Sequence, residues 1–132
     1  MIYPKMIIFD YGHTLLYEPG WDSIRGNMEL LKHATVNKNN CTVQELQRGA
    51  DMVFSEHIER IRELGYDVSA LVGDRFLYEY LGLEFSLSPH EIETVFWDAC
   101  TDGAVMPGTD KMIDYINCHN IRSAVISNIG WS

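Results

Sequence analysis

Four apolar residues in a row, Met6-Ile7-Ile8-Phe9, stand between Lys5 and Asp10. A short continuous run with β-branched members predicts a strand buried on both faces, the kind that belongs in a parallel sheet. The next such run, Ser123-Ala124-Val125-Ile126, comes more than a hundred residues later, introduced by Ile121-Arg122 and ended by Ser127-Asn128. Between the two, apolar residues recur at helical spacing. Asp22 or Ser23 caps a first predicted helix with Ile24, Met28 and Leu31 on its apolar face, fading in the polar stretch Asn37-Lys38-Asn39-Asn40. Thr42 and Glu45 form a capping box, after which Leu46, Ala50, Val53, Phe54, Ile58, Ile61 and Leu64 mark a long helix ended by Gly65. A shorter helix carries Phe76, Leu77, Tyr80 and Leu81 before Gly82. Ser88-Pro89-His90-Glu91 is a second capping box, with Ile92, Val95, Phe96 and Ala99 as its helix's apolar face.

The pattern changes again after Gly103. Val105-Met106-Pro107-Gly108 predicts a turn, and Met112, Ile113 and Ile116 an amphipathic helix leading into the second strand, which is half of a βαβ unit. The expected fold is therefore α/β: a fragment of a parallel-sheet core, residues 1–17 and 104–132, carrying a four-helix insert over 18–103. The seams are expected at Tyr17 to Trp21 and Thr101 to Val105, where Pro, Gly and small residues cluster.

Composition narrows the partners. The chain has 132 residues, 46% hydrophobic and 22% charged, as in a globular domain. Ten Lys and Arg against nineteen Asp and Glu give a net charge of −9, with no basic run, which disfavours nucleic acid and anionic lipid surfaces. No segment has the ~20 apolar residues of a membrane span, and the first nine residues do not read as a secretory leader. Cys41, Cys100 and Cys118 are odd in number and without a Cys-x-x-Cys, so neither a disulfide framework nor a zinc site is suggested, and a reduced, cytoplasmic location is expected.

In parallel α/β sheets, ligands bind beyond the carboxyl ends of the strands. Both predicted strands end there in polar residues, Asp10 after the first and Ser127-Asn128 after the second. A carboxylate beside a hydroxyl and free backbone N–H groups places a nucleophile next to an anion cradle.

These residues resemble motifs of the haloacid dehalogenase-like (HAD) hydrolase superfamily. Ile7-Ile8-Phe9-Asp10-Tyr11-Gly12-His13-Thr14-Leu15 is similar to the family's first motif, Ala124-Val125-Ile126-Ser127-Asn128 to its second, and Met106-Pro107-Gly108 to the turn before the second motif's helix. The resemblance implies a Rossmann-like core with a helical cap. It also implies a covalent aspartyl intermediate formed by Asp10, with Thr14 orienting it and Ser127, with Asn128 and the following amides, holding a phosphate oxygen. Magnesium would be held by Asp10 and the carbonyl of Gly12, and the substrate would be a small phosphorylated metabolite.

Two departures stand out. The residue two after the nucleophile, commonly a second Asp acting as acid and base, is Gly12; His13 is next door with a suitable pKa range, although neighbours on an extended chain point in opposite directions. The resemblance also implies further strands, a lysine and an acidic pair beyond Ser132. The chain is therefore expected to be the N-terminal part of a longer protein, inactive and weak in magnesium binding by itself, with strand flanks that favour self-association. Two alternatives stay open: a 2-haloacid dehalogenase-type hydrolase, whose Tyr-Gly motif is matched with a displacement of one residue, and a non-catalytic binding or oligomerising module of the same fold. Tyr17 and Trp21 have some claim to contact substrate. His57, between Glu56 and Ile58, reads as part of a solvated helix face, the aromatics from Phe76 to Trp97 as bundle core and rim, and Cys100 and Cys118 as inert packing thiols.

Overall fold

The structure, a computed structural model, describes residues 4–66 and 69–127. It is mixed α/β and divides into two compact units, residues 4–20 with 102–127 and residues 21–101. No helix among the described residues is long and apolar enough to cross a membrane.

The first unit holds β1 (Met6–Phe9), β2 (Leu16–Tyr17), β5 (Ala104–Val105), α6 (Thr109–Cys118) and β6 (Arg122–Val125). β1 pairs in parallel with β6, in the register Met6 to Arg122 and Phe9 to Val125. β2 pairs antiparallel with β5, a two-residue ladder that the sequence pattern does not announce. Ile116 on α6 and Ile121 before β6 are the buried apolar residues here. The expectation of strands buried on both faces is corrected. Met6 and Ile8 are 44% and 55% exposed while Ile7 and Phe9 are half-buried, an alternation typical of a sheet covered on one side.

The second unit holds α1 (Ser23–His33), β3 (Ala34–Asn37), α2 (Val43–Ala50), a π-helical stretch (Asp51–Ile58), α3 (Glu59–Glu63), α4 (Ala70–Leu81), β4 (Leu83–Phe85) and α5 (Pro89–Cys100). The Asp22 carboxylate accepts the amides of Ile24 and Arg25, and both capping boxes form as their sequences prescribe. Gly82 ends α4 in a left-handed turn at φ +71°, a conformation other residues adopt at a cost. β3 and β4 pair antiparallel, and Asn37 closes the loop between β3 and α2 by bonding both backbone groups of Cys41.

Packing departs from the predicted faces at α1. Ile24 and Met28 are about half exposed, and the helix instead buries Gly26, Asn27 and Leu30. The cause is a close crossing with α5: a β-carbon at Gly26 would fall 2.5 Å from Cys100 Sγ and 2.6 Å from the Phe96 ring. Phe76 and Tyr80 likewise stack on the solvent side of α4, leaving Leu77 as its buried contact. Cys118 is exposed, not a packing thiol.

The helix read as continuous from Thr42 to Gly65 changes character in its middle. In π-helical backbone, hydrogen bonds run i→i+5, so residues five apart share a face. Val53 and Ile58 are both buried on that basis, in a core with Cys41, Leu46, Leu77 and Leu83.

Candidate active site

The parallel pairing of β1 with β6 fixes the neighbourhood of Asp10. Phe9 faces Val125 in register, and the amide of Ile126 donates to the Phe9 carbonyl at 2.9 Å. Asp10 and Ser127 therefore leave the carboxyl ends of adjacent strands one residue out of step.

Asp10 is exposed, and one of its oxygens, Oδ1, accepts the Tyr11 amide at 2.7 Å. The chain then reverses tightly. The amides of Leu15 and Leu16 converge on the Tyr11 carbonyl at 2.9 and 3.2 Å, and His13, at φ +54°, donates its amide to the Leu16 carbonyl at 2.7 Å. This turn directs the His13 ring to Glu18, with Nε2 3.7 Å from Oε2 and the side chain 84% exposed. The contact that the ring makes is with Glu18, at the solvent surface.

Thr14 is exposed, and no hydrogen bond links its side chain to Asp10 among the described residues. Ser127 is half-buried at the end of β6. Asn128 lies outside the described residues. Gly12 is half-buried, and a β-carbon there would meet nothing within 4 Å. Of the two lysines in this unit, Lys5 precedes β1 at the end opposite Asp10, about 3.3 Å per residue away along the strand. Lys111 lies in the first turn of α6.

Magnesium demands near-octahedral oxygen coordination, usually with carboxylate anchors. Asp10 supplies one carboxylate and Gly12 one carbonyl, and no group of three His, Cys, Asp or Glu side chains converges among the described residues. This donor set does not fit a dedicated magnesium site.

The other residues singled out from sequence fall elsewhere. Tyr17 is half-buried in β2. Trp21 belongs to the helical unit, edge-on to Trp97 at 4.6 Å and to Phe96 at 5.9 Å. His57 is exposed on the π-helical stretch.

The helical unit carries a second concentration of functional groups, absent from the sequence reading. A cavity of about 370 Å³ is lined by residues of α1, α2, the π-helical stretch, α4 and α5. Asn27, 3% exposed, donates to Gln47 Oε1 at 2.8 Å, and Gln47 donates in turn to Asp51 Oδ1 at 2.8 Å. Burial, and then the neighbouring Glu93, pushes the Asp74 carboxyl up to about 6, against which Tyr78 donates a hydrogen bond. Burial likewise drives the Tyr78 hydroxyl well above its ordinary range.

No protein-family model matches the chain, and no curated protein or solved structure does either.

Proposed function

We propose that the chain is part of a HAD-like hydrolase of the phosphatase type, acting on a small phosphorylated metabolite through an aspartyl-phosphate intermediate. The finer fold reading belongs to the same proposal: β1, α6 and β6 as part of a Rossmann-like core, and the helical unit as its four-helix cap. One observation carries it. Asp10 and Ser127 leave the same end of two hydrogen-bonded parallel strands, so a carboxylate and a hydroxyl share one strand edge, where parallel sheets bind ligands.

In this reading a carboxylate oxygen of Asp10 attacks phosphorus, the P–O bond to the leaving group breaks, and the departing oxygen takes a proton from solvent. Water then attacks the aspartyl phosphate, releasing phosphate and restoring the carboxylate. The Tyr11 amide, bonded to Oδ1, holds the carboxyl plane and leaves Oδ2 to react. Ser127 donates to a non-bridging phosphate oxygen. With Gly12 in place of an acid and His13 turned toward Glu18, leaving-group protonation falls to water, which favours substrates with good leaving groups such as acyl or aryl phosphates.

The test is hydrolysis of an aryl phosphate by the protein, beside its Asp10→Asn variant. Turnover that disappears with the isosteric amide supports the assignment, and turnover retained in Asp10→Asn overturns it. Chloride release from a 2-haloacid, with no phosphate release, would assign the same aspartate to dehalogenation instead.

A further inference from the structure

We propose that the cavity of the helical unit is a binding site for a small aromatic ammonium ion, held by Asp74 and Glu93 against walls formed by Trp21, Phe96 and Trp97. This inference is independent of the chemistry at Asp10, since every residue it uses lies within residues 21–101.

The volume comes first. About 370 Å³ is within the range of small-molecule pockets and far more than a single water needs. Its lining is mostly apolar and aromatic, with polar groups gathered from several helices, the usual composition of a ligand site.

Charge then selects the ligand. Asp51, Asp74 and Glu93 line the cavity, and among the described residues no Lys, Arg or His does. An anion placed there would meet carboxylates without a counter-charge. Glu93 Oε2 is shielded from solvent and has no hydrogen-bond partner among the described residues. A buried carboxylate oxygen left in that state is costly, and an N–H donor from a ligand would satisfy it. Asp51 is already engaged by Gln47, and among the described residues Asp74 accepts from Tyr78 of its own helix and from no cationic group, so the charge of the Asp74 and Glu93 pair is the part left without compensation.

The aromatic wall completes the match. Trp21 and Trp97 meet edge to face at 4.6 Å, and indole faces attract cations as well as aryl groups. The π-helical stretch, which contributes Asp51, Phe54 and Ser55, is a backbone form that occurs often at functional sites.

The experiment uses the 132-residue chain and 2-phenylethylammonium, titrated calorimetrically at about pH 8, above the value near 6 of the Asp74 carboxyl. The neutral 2-phenylethanol and the anion phenylacetate, similar in shape, serve as the other arms. Saturable binding of the ammonium, at least about tenfold tighter than the alcohol and with no binding of the anion, is expected. Glu93→Gln and Asp74→Asn should each weaken the ammonium about tenfold or more while leaving the alcohol unchanged. Glu79→Gln, an exposed acid on α4 paired with Arg75, should change nothing. Circular dichroism of each variant establishes that it is folded. Equal affinity for ammonium and alcohol, unchanged affinity in both cavity variants, or no saturable binding to the folded chain would each overturn the proposal.

Discussion

Replacing Asp74 by Asn should stabilise the protein at neutral and alkaline pH, against the usual cost of altering a buried polar residue. In the folded chain the Asp74 carboxyl titrates near 6, raised from 3.8 first by burial and then by Glu93. A folded-state value above the unfolded one means the native state binds the proton more tightly. The associated stability is fully present below about pH 4 and is lost as pH rises through about 6. The difference of roughly two pH units corresponds to about 3 kcal/mol, so above pH 6 the ionised Asp74 opposes folding by about that amount. Beside burial, the groups that set this are Glu93 on α5, which raises it, and Tyr78 on the same helix, whose hydrogen bond lowers it. Asparagine keeps the shape and can still accept from the Tyr78 hydroxyl, but carries no charge to desolvate. Urea unfolding at a series of pH values tests this, with hydrogen exchange of the α4 amides to isolate the helical unit. At an m-value of about 1 kcal/mol/M, the variant's midpoint should exceed the parent's by up to about 3 M near pH 8, with the gap closing below pH 4. A gap that does not vary with pH, or a variant less stable than its parent at pH 8, would refute the reasoning.

Gly12→Asp fits without a clash, since a β-carbon there meets nothing, and on the proposed function it should raise turnover of an alkyl phosphate, a poor leaving group, by about 10²- to 10⁴-fold and of an aryl phosphate much less. Gly26→Ala should destabilise by about 1–3 kcal/mol in thermal unfolding, because the new methyl overlaps Cys100 and Phe96, although alanine is the better helix former. Leu46→Ala, at a fully buried position in the core of the helical unit, should cost about 2–5 kcal/mol by the same measurement. Thiol labelling of the native chain at pH 8 should show one fast cysteine, the exposed Cys118. Cys41 and Cys100 should react only on unfolding, Cys100 being buried with its thiol pushed up to about 11.

Local signals in the sequence translated directly into structure wherever the interaction was itself local. Asp22, Thr42 and Ser88 cap helices because a short oxygen-bearing side chain next to free amides needs nothing from the rest of the fold. The two antiparallel ladders were invisible for the opposite reason. Leu16 and Tyr17 pair with residues 104 and 105, and Ala34 with Phe85, so neither the length of the strand nor its flanks hints at the partner. The face of α1 was misjudged because periodicity counts apolar side chains, whereas this helix is seated by the absence of one. Gly26 lets α5 approach, and that approach turns Asn27 inward and Ile24 outward.

The same contrast separates the two proposed sites. Asp10 and Ser127 were legible because strand ends are recognisable one at a time, and parallel pairing then brings them to one edge. Asp74 and Glu93 are nineteen residues apart on different helices, and each looks like an ordinary surface charge in sequence. Only the packing of α4 and α5 around one cavity makes them neighbours, and only burial makes that proximity expensive. The sites also differ in charge logic: the strand edge offers a hydroxyl donor to an anion, whereas the helical cavity offers carboxylates without a basic partner. A native core rarely retains an unsatisfied carboxylate oxygen for stability alone, since an apolar residue of similar volume serves packing better. The unpartnered Oε2 of Glu93 beside Asp74 is therefore the feature that the proposed ammonium ligand would complete, through the positive charge and N–H donors it brings.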